Sequence, residues 1–174
     1  KNYDITIQIG PGGSVKENNQ ILANNSVLNA EEGSVKTFTF IPDQGYVVAT
    51  LLFAGVDLMS QLNNNTYTTT QINSNAILDV KFKKIQYNLT IKDASSKGSL
   101  NSFVNYGDTP SFSITPESGW KVNTVLYNSV DVTANLLEGV YTLPRVTANS
   151  LLNISYVNLT ASPVIGISNV KVYT

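Results

Sequence analysis

The chain has 174 residues, 42 % of them hydrophobic and only 13 % charged, with a formal net charge of -1 and neither cysteine nor histidine. That composition excludes disulfide frameworks, thiolate and imidazole chemistry and nearly every zinc site. Arg145 is the single arginine and no basic cluster stands out, which argues against a nucleic-acid partner.

In chain order, Ile5, Ile7 and Ile9 alternate with polar residues, the period of a half-buried strand. Gly10-Pro11-Gly12-Gly13 lacks the Gly-Lys-Ser/Thr ending of a phosphate loop and reads as a hairpin loop. The stretch QILANNSVLN, residues 20–29, predicts an extra hairpin turning at Asn24-Asn25, within a region 16–32. Phe38 and Phe40 mark the next strand, and Pro42-Asp43-Gln44-Gly45 then reverses the chain. The apolar phase shifts from Tyr46 and Val48 to Leu51 and Phe53, so a bulge or kink is expected at Thr50. LLF-AG-VDL spells a tight two-residue hairpin, residues 63–65 a looser loop, and strands follow over 66–72 and 76–82. No segment carries a capped amphipathic helix.

The same text then recurs. Gly33 returns as Gly107, Phe38 as Phe112, Pro42 as Pro116, Gly45 as Gly119, Val56-Asp57 as Val130-Asp131, Tyr67-Thr68 as Tyr141-Thr142 and Asn75 as Asn149, always 74 positions later. A register held over fifty positions is a duplication. The openings match as Tyr3-Asp4-Ile5-Thr6-Ile7 with Tyr87-Asn88-Leu89-Thr90-Ile91, and as Gly13-Ser14-Val15 with Gly98-Ser99-Leu100. Seventeen residues separate Val15 from Gly33 but six separate Leu100 from Gly107, an 11-residue excess in the first copy. The second copy repeats the expected bulge at Thr124, the tight hairpin at Asn128-Ser129 and a looser loop at Glu138-Gly139.

The expected fold is all-β, in two tandem small modules: residues 1–84, with the extra hairpin, and 85–157. Residues 158–174 form a tail in which Asn169-Val170-Lys171-Val172-Tyr173 begins a further strand after Pro163. The junction Phe82-Lys83-Lys84-Ile85-Gln86-Tyr87 has no Gly, Pro or Ser, which predicts a short, stiff link and an elongated arrangement.

Few residues invite a chemical role. An aromatic just after a reversal and in phase with Val122, as Trp120 is, reads first as core, and so does its counterpart Tyr46. The sharper alternative is a sugar-stacking surface built from Trp120, Tyr127 and Tyr141; Tyr106 carries the same ambiguity. Asp57 and Asp131, one carboxylate per copy, lack the spacing of a calcium loop and read as turn residues bonding the local backbone. No pair of candidate acid, base or nucleophile with a partner nearby recurs in both copies, so no catalytic residue, metal site or cofactor is expected.

The Tyr-x-Leu/Ile-Thr-Ile opening, the Gly-Ser-Val/Leu step, the block Gly-x-x-x-x-Phe-x-Phe/Ile-x-Pro-x-x-Gly-Tyr/Trp-x-Val, the Val-Asp after a tight turn and Tyr-Thr before an Asn-x-x-Leu strand resemble the divergent internalin-type B-repeat family of bacterial surface domains. The likeness runs from Tyr3 to about Val157, in two copies. It implies β-grasp-like or β-sandwich units in a secreted or cell-surface protein, serving as stalk or adhesive segments without catalysis. It implies an extracellular protein or a glycan as partner, and the family pattern supplies no catalytic residues. The tail faintly resembles the start of a C-terminal sorting segment. No leader precedes Lys1, so a secreted protein is expected here in trimmed form, and no apolar run reaches the ~18 residues of a membrane span.

Overall fold

The computed structural model describes residues 1–94 and 98–160, so the strand expected over 169–173 and the nearby Pro163 lie outside the described residues. The fold is all-β. Among the described residues the only helical segments are two 3-10 turns, Met59–Gln61 and Thr133–Asn135. By contacts the chain forms two units: Lys1–Gln86 together with Asn105–Gly107, and Tyr87–Val104 together with the chain from Asp108 onward.

In the first unit the strands are β1 (Asn2–Ile9), β2 (Gly13–Glu17), β3 (Gln20–Ile21), β4 (Val27–Glu31), β5 (Thr37–Pro42), β6 (Tyr46–Phe53), β7 (Val56–Asp57), β8 (Thr66–Thr68) and β9 (Ala76–Lys84). They make a five-stranded sheet, β4-β1-β9-β6-β7, and a four-stranded sheet, β3-β2-β5-β8. The alternation read from the sequence sets the layering. Ile5, Ile7, Leu51, Leu78 and Val80 from the larger sheet and Val15, Phe38 and Phe40 from the smaller all sit in one buried cluster. β1 and β9 run parallel, with Ile7 beside Leu78, and β6 runs antiparallel to β9.

The second unit contains β10 (Gln86–Asp93), β11 (Gly98–Asn105), β12 (Ser111–Ser113), β13 (Trp120–Tyr127), β14 (Val130–Asp131), β15 (Val140–Thr142) and β16 (Ser150–Asn158). Its large sheet, β11-β10-β16-β13-β14, repeats the order of the first, including a parallel β10–β16 pair. Among the described residues its small sheet holds β12 and β15. A separate core gathers Leu89, Val104, Ile114, Val125, Tyr141 and Leu152.

The turns follow the expected chemistry. Gly45 and Gly119 take φ of +82° and +83°, and the N–H groups of Tyr46 and Trp120 donate back to the carbonyls of Asp43 and Glu117, as a turn with a left-handed glycine at its third position requires. The expected bulges are present one residue upstream: pairing slips between Val48 and Thr50 and between Val122 and Thr124, leaving Ala49 and Asn123 as the extra residues. Both central residues are left-handed in the Ala54-Gly55 and Asn128-Ser129 hairpins, the type I′ signature. The segments expected to be looser loops are equally tight, because Asn64-Asn65 and Glu138-Gly139 adopt the same left-handed pair.

The extra segment of the first copy folds differently from the reading above. Residues 20–29 do not pair with one another. Gln20–Ile21 turns back on β2 through Asn18-Asn19, both left-handed, whereas Val27–Glu31 crosses to the other sheet and pairs with β1. In the second unit β11 takes the place of β4 beside β10, and the 74-residue register matches buried Ala30 to buried Val104. Gly98-Ser99-Leu100 is therefore not the counterpart of Gly13-Ser14-Val15. The surplus is the β2–β3 hairpin itself, a strand pair with no equivalent among the described residues of the second unit.

Candidate functional site

Two polar side chains repeated in both copies, an aspartate and an asparagine, are occupied in holding the backbone. Asp57 Oδ1 accepts from the Met59 N–H at 2.9 Å. Asp131 Oδ1 accepts from the Thr133 N–H at 2.9 Å and from its hydroxyl at 2.6 Å, and these bonds hold the Asp131 carboxyl below its ordinary value. Each aspartate thus fixes the first turn of a 3-10 segment, the local backbone role expected of it. Asn75 and Asn149 act as a second matched pair, their carboxamide oxygens accepting from the N–H groups of Asp4 (3.0 Å) and Asn88 (2.9 Å). Sequence reasoning registered this asparagine as a repeated letter and missed its job, since the strand it ties lies 71 residues away in the first copy and 61 in the second.

The three aromatics nominated as a sugar platform separate into two places. Tyr127 and Tyr141 come together: their ring centroids lie 6.3 Å apart with planes 53° to each other. Tyr141 is buried, only 4 % exposed, and burial, then the neighbouring Tyr127, raises its pKa. The Tyr127 hydroxyl lies 2.9 Å from Ser150 Oγ. A shallow depression runs over this pair, lined also by Asn128, Val130 and Pro144. Rings so tilted, one of them buried, make a core contact rather than a flat stacking face. Tyr67 and Phe53 repeat the arrangement at 6.3 Å and 52° in the first unit.

Trp120 stands at the opposite end of β13 from Tyr127. It is 42 % exposed, which overturns its reading as a core residue. Among the described residues no strand pair equivalent to β2–β3 covers it. Its counterpart Tyr46 packs on the first core and lies so close over Gly12, just before β2, that a Cβ there would collide with the ring. Tyr106, the remaining ambiguous aromatic, clusters with the first unit, where its N–H donates to the Ile85 carbonyl and its ring covers Gly45.

The same loss runs along the inner face of the second unit's large sheet. Phe82, 9 % exposed, becomes Tyr156, half-buried, and fully buried Ile7 becomes half-buried Ile91. The Tyr156 hydroxyl donates to Asp93 Oδ2 at 3.1 Å. Burial, together with that carboxylate, pushes its pKa up to about 12. Leu100 on β11 is left 62 % exposed. Among the described residues no group of three or more acidic side chains converges as a metal centre would require, and no helix is long and apolar enough to cross a membrane. The chain matches no protein-family model, no curated protein and no solved structure.

Proposed function

We propose that the chain is a non-catalytic repeat module of the internalin-type B-repeat kind, carried by a secreted or surface-displayed bacterial protein, where it spaces other domains or binds a protein partner. The observation that carries the reading is what duplication has retained. The repeated polar side chains Asp57/Asp131 and Asn75/Asn149 are engaged in turn and strand hydrogen bonds, and Tyr67/Tyr141 are buried in the two cores. Copying has preserved folding instructions, as expected of a module whose task is to be a stable shape.

The test is location. Protease treatment of intact cells producing the native protein should degrade it while cytoplasmic markers survive; a protein protected until the cells are lysed would sink the proposal. A glycan-binding role is the second reading. It rests on exposed Trp120 alone, since the tilted Tyr127–Tyr141 pair offers no platform. Binding on a glycan array that Trp120→Ala abolishes would favour it.

A further inference from the structure

Among the described residues the two small sheets differ by one strand pair, which leaves one edge of β12 without a strand neighbour. In the first unit β5 has two neighbours, β2 on one side and β8 on the other. Its equivalent β12 has β15 as its sole strand neighbour among the described residues. The Ile114 N–H donates to the Gly139 carbonyl and the Leu143 N–H to that of Pro110, so even-numbered positions face β15. Antiparallel alternation then turns the N–H and C=O groups of Ser113 and Thr115 to the open side. Behind that edge lie half-buried Ile91, Val122 and Tyr156 and exposed Trp120, whose first-unit counterparts Ile7, Val48, Phe82 and Tyr46 form or flank the core that β2 helps to close.

We infer that the second unit receives an extended peptide segment of a partner protein at the free edge of β12, by strand addition. This deepens the protein-binding reading above and rests on it. The first unit specifies the occupant, because β2 is a worked example of the same interface. There Gly13 pairs with Pro42, Val15 with Phe40 and Glu17 with Phe38. Transferred by 74 positions, the guest sets a glycine opposite Pro116, an aliphatic residue opposite Ile114 and its last residue opposite Phe112. The glycine is a requirement of space. A Cβ on Gly13 would lie 2.6 Å from the Phe82 ring and 2.8 Å from the Ile41 carbonyl oxygen, and Tyr156 holds the position of that ring. Main-chain pairing supplies affinity, and the alternate side chains supply choice of partner.

The experiment titrates a synthetic peptide PGGSVKENNQI, the sequence of residues 11–21, into the full chain. Amide NMR shifts and the fluorescence of Trp120, the only tryptophan, are followed together. Saturable shifts at Ser113 and Thr115, with a change in Trp120 emission, are expected. A peptide carrying valine at the second glycine should bind at least about tenfold more weakly, since overpacking a filled position costs of order 1–3 kcal/mol. Ser113→Pro removes one edge N–H on a strand where proline is tolerated, and should abolish binding while Tyr141 stays buried by NMR. Absence of binding, or binding indifferent to both changes, overturns the inference. So does binding seen only in a chain ended at Thr160, which would make the chain's own C-terminal segment the occupant. A peptide that fails to bind, on a protein that intact-cell proteolysis still finds outside, would refute the edge site and leave the surface role standing.

Discussion

Tyr127 and Tyr141 meet at 6.3 Å and 53°, and Phe53 and Tyr67 repeat that meeting at 6.3 Å and 52°. Two copies that differ at most positions have preserved one ring-on-ring contact, which joins the long strand of the large sheet to the last strand of the small one. Truncating a buried aromatic costs roughly 3–5 kcal/mol, a large share of the 5–15 kcal/mol that holds a whole domain. Tyr141→Ala should therefore unfold the second unit at markedly lower urea, read from Trp120 emission. Tyr127→Phe, losing only the hydroxyl contact to Ser150, should cost about 1 kcal/mol.

Ala54 occupies a left-handed turn position at φ +51°, where the second copy places Asn128 at +48°. A Cβ in that region costs roughly 1–2 kcal/mol. Asparagine tolerates it, and the Asn128 side chain also accepts from the Leu151 N–H at 2.8 Å. Ala54→Asn should stabilise the first unit by about 1 kcal/mol, measured as slower hydrogen exchange at Leu78. Unchanged exchange would mean the turn is not under strain.

Acid should act on the second unit through Asp131. Its folded carboxyl is held below the ordinary 3.8 by the hydroxyl and N–H of Thr133. The stabilisation is complete above that ordinary value and disappears as pH falls through the lowered one. Denaturation midpoints measured by Trp120 emission between pH 6 and pH 2 should fall at the acid end. In Asp131→Ala the midpoint at neutral pH should drop and the acid slope should flatten.

Alkali should act through Tyr156, whose pKa rises from 10.0 to about 12. A raised tyrosine pKa contributes stability that is whole below 10 and is lost as pH climbs through 12. Tyr156→Phe, which installs the residue found at Phe82, should weaken that alkaline loss. Tyr141, also raised, should keep part of it.

Most of this architecture was legible because it is local. Pro-x-x-Gly reversals, the parity slip beside Thr50 and Thr124 and the aspartate turns each depend on a few adjacent residues, and the structure holds them within one position of where the letters place them. The route of residues 13–31 was not legible. Asn18-Asn19 and Asn24-Asn25 offer equally good turns, and which strand pairs with which is settled across the sheets. Trp120 was misread for a related reason. Its phase matched that of half-buried Val122, but phase cannot reveal whether a second layer covers the end of the strand. The tightness of the turns at Asn64-Asn65 and Glu138-Gly139 was hidden because only one of those four residues is glycine.

The parallel pairing of β1 with β9, and of β10 with β16, has a temporal consequence. Each unit's opening strand must wait for its closing one, about seventy residues behind it in the first unit and about sixty in the second, before the central pair of its large sheet exists. Loop closure across such a span is slow compared with forming a hairpin. A chain emerging from a ribosome or threading a pore therefore carries each unit as an open string of hairpins, and locks it only when the final strand arrives.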